Sequence, residues 1–118
     1  MQRKVDLIRS ILLELEKAPF DPHGIEMNIP DYTQQEIGYH LMLLAEAELI
    51  DAEPVSTSDG INWKAIRPTW EGHEFLEACR DASRWEKAKK ILHEKTGSIQ
   101  FDLLNQLLVR LMKEGVLQ

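Results

Sequence analysis

Four histidines (His23, His40, His73 and His93) and one cysteine, Cys79, are the side chains best suited to ligate a metal or work as base or nucleophile near neutral pH. Their spacing fits no known signature for either task. His73 and Cys79 lie six residues apart, which puts them on different faces of a helix, and there is no His-Glu-x-x-His pair, phosphate-loop glycine string or nucleophile elbow. The run Glu71-Gly72-His73-Glu74 sets carboxylates beside an imidazole, but a lone histidine in that setting reads as a capping or surface residue. With a single cysteine, an intrachain disulfide and zinc sites of three or four cysteines are excluded. The expectation is a protein that is not an enzyme and carries no cofactor and no metal.

The other chemistry open to this chain is contact with a polyanion. Acidic residues outnumber basic ones 20 to 14, for a net charge of -6. Nucleic-acid affinity comes largely from cations that displace phosphate counterions, so the overall field opposes DNA. The exception is residues 80–95, where six cations (Arg80, Arg84, Lys87, Lys89, Lys90 and Lys95) face three carboxylates (Asp81, Glu86 and Glu94). Arg84, Lys87 and Lys90 recur every third residue and can share a helical face, with Lys89 beside them, although a solvated helix face looks the same. Lys64 and Arg67 are the further candidates for phosphate contact, and edge charges that keep a hairpin soluble are the alternative for them. Trp63, just before Lys64, reads as a packing residue.

These residues need elements to position them. Val5, Ile8, Leu12 and Leu15 recur at helical spacing and predict a helix over residues 2–17, which Pro19, Pro22 and Gly24 end. Residues 25–29 alternate apolar and polar, as a short half-buried strand does. Thr33-Gln34-Gln35-Glu36 has the form of a capping box and opens a helix whose inner stripe is Ile37, Leu41 and Leu44. Its outward face would then show Gln34, Gln35, Gly38, Tyr39 and Met42, with no Arg or Lys. Strands over 50–55 and 61–66 flank a polar turn of residues 56–60, and Thr69 caps a third helix carrying Phe75, Leu76 and Cys79 inward. Ser83-Arg84-Trp85-Glu86 reads as a second capping box, with Trp85, Ala88 and Leu92 inward and Gly97 as the stop. The last helix, over 99–114, carries too many apolar residues for one stripe of ordinary width, so a second face asks for cover.

Helix, short strand, helix, hairpin, helix is the order of a winged helix, and here residues 34–47 occupy the recognition-helix position. Three stretches of sequence resemble a known family: Asp6-Leu7-Ile8-Arg9, Tyr39-His40-Leu41 through Leu49-Ile50, and Thr69-Trp70-Glu71-Gly72-His73-Glu74-Phe75-Leu76. That family is an uncharacterised winged-helix-like one of bacteria and their phages, defined only as a domain of unknown function. The resemblance covers most of the chain and implies a fold and a genomic setting, not an activity. Two departures stand out. Glu48 occupies a place where many such helix ends have glycine, and only Pro30-Asp31-Tyr32 precedes the capping box where a full helix-turn-helix has another helix.

The expected architecture is mainly α with a small β-hairpin: one domain, with a winged-helix-like core over 1–82 and a C-terminal helical extension over 83–118. No apolar run reaches the roughly 18 to 20 residues that a bilayer crossing needs, and the opening residues lack a signal peptide's apolar stretch, so a cytoplasmic protein is expected. Two functional readings stay open. One is a DNA-associated transcriptional or prophage regulator; the other is a protein-interaction or oligomerisation module without DNA binding. In the second, Gln35, Tyr39 and Met42 form a candidate interaction surface, and the C-terminal helix a candidate homodimer contact.

Overall fold

A computed structural model describes the backbone of residues 1–117 and the side chains of residues 1–115. The elements run α1 (Val5–Lys17), α2 (Gln34–Glu46), β1 (Ile50–Thr57), β2 (Gly60–Pro68), α3 (Trp70–Cys79), α4 (Ala82–Thr96) and α5 (Phe101–Leu117). This is a mainly helical chain with one antiparallel hairpin, as the patterning predicts. It divides into two compact units, Met1–His73 and Glu74–Gln118. The division falls inside α3, upstream of the 82/83 boundary read from the sequence.

In the first unit α1 contributes Leu7, Ile8, Ile11, Leu12 and Leu15 to the core, and α2 contributes Ile37, Leu41 and Leu44. Both helices pack on the hairpin, and Ile50 and Ala65 close the core from the strands. The expected strand over 25–29 is reduced to one bridge: Ile25 exchanges backbone hydrogen bonds with Ala65 at 2.7 and 3.1 Å. The reason lies in tertiary packing. Gly24 (φ +83) packs so tightly on β2 that a Cβ there would lie 2.9 Å from that of Lys64, and Asp31 turns the chain at φ +73. Met27 and Ile29 still bury their side chains, so the alternation marks a core face rather than a ladder.

The hairpin is longer than its pattern predicts. Pairing runs from Ile50↔Pro68 to Thr57↔Gly60, leaving Ser58-Asp59 as a two-residue turn, with a bulge between Asp51 and Ala52. The Thr57 hydroxyl stitches this turn by donating to the Gly60 carbonyl at 2.8 Å, which lets polar residues extend both strands.

The capping box at α2 forms as read. The Thr33 hydroxyl accepts the Glu36 amide at 3.1 Å and Glu36 Oε1 accepts the Thr33 amide at 3.2 Å. The far end of α2 closes as a Schellman motif, with the Leu49 amide on the Leu44 carbonyl and the Glu48 amide on that of Ala45. Glu48 therefore takes the left-handed position itself, at φ +60. The Thr69 hydroxyl donates to its carbonyl at 2.6 Å and so braces this strained residue.

In the second unit the capping box expected at Ser83 is corrected: α4 begins at Ala82 and its cap is Asp81. One Asp81 oxygen accepts the Arg84 amide at 2.8 Å and the Ser83 hydroxyl at 2.7 Å. A carboxylate outcompetes a hydroxyl there because it suits the positive end of the helix dipole. Gly97 (φ +77) stops α4 as expected. Trp85, Ala88, Leu92, Leu104 and Leu108 are buried, and the Phe75 ring meets Trp85 edge-on and Phe101 at 5.0 Å.

Candidate functional site

The helix before the hairpin, α2, occupies the position in the element order that suggests recognition. Gln35 is exposed, and Tyr39 and Met42 are half-buried. Gly38, expected to face outward, is buried instead: a Cβ on it would sit 3.3 Å from Asn62 Oδ1 of β2, so the hairpin covers that part of the helix. His40 is also buried, at 1% exposure. Its Nε2 accepts the Lys4 amide at 2.8 Å and its Nδ1 lies 2.8 Å from the Glu36 carbonyl. An amide only donates and a carbonyl only accepts, so the ring is the neutral tautomer with its proton on Nδ1. One turn earlier the Lys4 ammonium pairs with Glu36. The hydrogen bond from Lys4, then that from the Thr33 amide, hold the Glu36 carboxyl below its usual range. His40 and Glu36 thus anchor the chain just before α1, a role that spacing alone did not reveal.

Neither hairpin cation stands alone. Arg67 Nε bonds Asp51 Oδ2 at 2.8 Å across the ladder, and its Nη1 donates to the Pro68 carbonyl at 3.3 Å. Lys64 pairs in register with Glu53, which puts a carboxylate directly across from it. The turn between the strands has no cation.

On α4 the four candidates separate. Arg84 lies over the end of α3, and its Nη1 donates to the carbonyls of Ala78 at 3.2 Å and Glu77 at 3.4 Å. It supplies donors to a helix end whose carbonyls have no partner within the helix. Lys89 is tucked over the Trp85 ring, 5.6 Å from its centroid, and bonds Glu86 at 3.2 Å. Lys87 and Lys90 remain exposed, one turn apart. The charge budget follows the same division: residues 1–73 carry six basic and thirteen acidic side chains, net -7, and residues 74–118 carry eight and seven, net +1.

The largest uncovered apolar side chains of the first unit were not singled out by spacing. Trp70 is 77% exposed and Phe20 is 68% exposed, and both line a depression of about 410 Å³ with Ile66 and Pro68. Exposed aromatics in a concavity were invisible to periodicity, because Phe20 lies in a loop and Trp70 looks like any residue of an amphipathic helix. Among the described residues, no group of three or more His, Cys, Asp or Glu side chains could hold a metal ion. Among the described residues, no helix is long and apolar enough to cross a membrane.

The string Thr69 to Leu76 now has a physical reading. Thr69 caps α3 through the Gly72 amide at 3.1 Å and ties it to the end of α2. Gly72 permits close approach, since a Cβ there would lie 2.0 Å from the Leu49 carbonyl oxygen. Phe75 and Leu76 are buried. Trp70 and His73 are left outside, with no structural duty that explains the tryptophan.

The comparisons define the class. A family model described as "Hypothetical protein (DUF2513)" matches residues 2–98, and the chain belongs to that family of uncharacterised proteins. An "Uncharacterized protein" of Haemophilus influenzae is 33% identical over 110 residues, covering 90% of this chain and 91% of the relative. No solved structure matches the chain.

Proposed function

We propose that this chain is a protein-interaction module on a winged-helix-like scaffold, and that it does not read the DNA groove. The observation that carries this reading is the disposition of its cations. Arg67 is ion-paired, Lys64 faces a carboxylate, and Arg84 and Lys89 are engaged within their own unit. The helix in the recognition position offers Gln35, Tyr39 and Met42 but no cation, on a unit of net charge -7. Groove readers rely on Arg and Lys for base and phosphate contacts alike, and a field of this sign repels the duplex.

A labelled mixed-sequence duplex, titrated with the protein and followed by fluorescence anisotropy at low and at physiological salt, tests this. No binding at either salt is the expected result. Salt-sensitive binding would overturn it in favour of a second reading, a DNA-associated transcriptional or prophage regulator. The exposed Lys87 and Lys90 are what favour that alternative, and loss of binding in a Lys87→Gln, Lys90→Gln variant would place the phosphate contacts on α4.

Self-association through α5 belongs to the interaction reading. Leu104 and Leu108 fill one stripe, while Leu107, Leu111 and Met112 are only half covered and Leu103 is 39% exposed. The near-neutral charge of residues 74–118 does not oppose a second copy there. Light scattering over a concentration series would show a dimer mass; a monomer mass throughout would remove α5 as a contact between copies.

A further inference from the structure

Trp70 and Phe20 are the least explained side chains of the first unit. Trp70 begins α3 and Phe20 follows α1, and both rings stand in water over a floor that includes Ile66 and Pro68. An uncovered tryptophan stabilises nothing inside the unit, whereas on binding it can bury a large rigid surface at little entropic cost. Exposed aromatics rimmed by polar groups are the anatomy of a docking site.

Charge indicates what docks there. The cation on this lining, Arg67, is already turned to Asp51 and to the Pro68 carbonyl. Glu16 lies on the same rim. Ala18 is shared with a second depression of about 320 Å³, whose lining includes the carboxylates Glu14 and Glu26, with Lys17 bound to Glu14 at 3.5 Å. An apolar hollow therefore adjoins an acidic one, on a unit of net charge -7. A second copy presenting this unit, an acidic peptide and a nucleic acid would all be repelled, whereas Lys or Arg side chains are attracted by the carboxylates and by the faces of the two rings.

We propose that the surface between α1, β2 and the start of α3 binds a basic segment of another protein. A large apolar side chain of that segment is held against Trp70 and Phe20, and its Lys or Arg residues lie toward Glu14 and Glu26. The proposal rests on the interaction reading above and names the partner's chemistry.

The test is selection of a phage-displayed library of random peptides about 12 residues long on the full chain, followed by anisotropy titration of fluorescein-labelled copies of the enriched peptides. Peptides combining Lys or Arg with a large apolar residue are expected, with affinity falling as salt rises. Trp70→Ala and Phe20→Ala should each weaken binding about tenfold, and the Glu14→Gln, Glu26→Gln pair several-fold, at unchanged thermal midpoints because all four positions are solvent-facing. Enriched peptides that bind Trp70→Ala as well as wild type would overturn this site and leave the interaction reading standing. Acidic or uncharged consensus peptides would overturn the assigned partner chemistry. Failure to enrich any sequence would count against both the site and the interaction reading.

Discussion

Gly72 and Glu48 hold the same joint, where α2 runs into β1 and α3 begins, and each makes a sharp prediction. A Cβ at Gly72 would lie 2.0 Å from the Leu49 carbonyl oxygen and 3.3 Å from Pro68 Cβ, so backbone must move to admit it. Gly72→Ala should cost on the order of 3 kcal/mol, read as a lower urea midpoint at unchanged slope. Glu48 is the opposite case, an L-residue held at φ +60 by the Schellman closure of α2. Glu48→Gly removes the steric cost of that conformation and keeps the backbone carbonyl that Thr69 grips, so stability should rise by about 1 kcal/mol. Both effects were partly legible. Glu48 stands at a helix end, where glycine takes the left-handed backbone without steric cost, and Gly72 sits within the Thr69 to Leu76 string, but what Gly72 touches depends on a residue 23 positions earlier.

At the scale of elements, helix starts carry the pH dependence. The Arg84 amide, then the Ser83 hydroxyl, hold the Asp81 carboxyl below its ordinary value, and Glu36 is depressed by Lys4 and the Thr33 amide. A carboxyl depressed in the folded state contributes stability above its unfolded pKa and loses it as pH falls through the folded one. Asp81→Ala should therefore lower the melting temperature at neutral pH, and its gap from wild type should narrow only as pH falls below the ordinary aspartate value of about 4. The capping box at Thr33 was readable because both partners lie within four residues. The cap at Asp81 was misread as Ser83 because two side chains two positions apart could serve, and the carboxylate suits the positive end of the helix dipole better than the hydroxyl. The strand over 25–29 failed for a longer-range reason: a ladder needs a neighbour, and the tight seat of Gly24 on β2 allows one bridge.

For the whole molecule, the informative quantity is how charge divides between the units. A net charge of -7 on residues 1–73 and +1 on residues 74–118 predicts no duplex binding at low or at physiological salt, and were salt-sensitive binding found, the exposed Lys87 and Lys90 would be the first place to seek it. Lys64→Gln and Arg67→Gln should leave DNA affinity unchanged, since each cation already stands opposite a carboxylate. A duplex titration of those two variants beside the Lys87, Lys90 pair checks this directly. The candidate cations were visible in the sequence, but the partners of Arg67 and Arg84 were not. Arg67 meets a carboxylate sixteen residues away across the hairpin, and Arg84 meets carbonyls of the preceding helix.

The spacing of apolar residues and the cap residues determined the helices and the hairpin, because those signals act within a few residues of chain. Tertiary structure decided which of the chemically capable side chains remained available. It buried His40 beneath the chain that leads into α1, engaged Arg67, Arg84 and Lys89 within their own units, and left Trp70 and Phe20 in water. Availability depends on neighbours distant in sequence, which is why the four histidines and the basic run, prominent on reading, yielded to two aromatic residues that spacing did not single out.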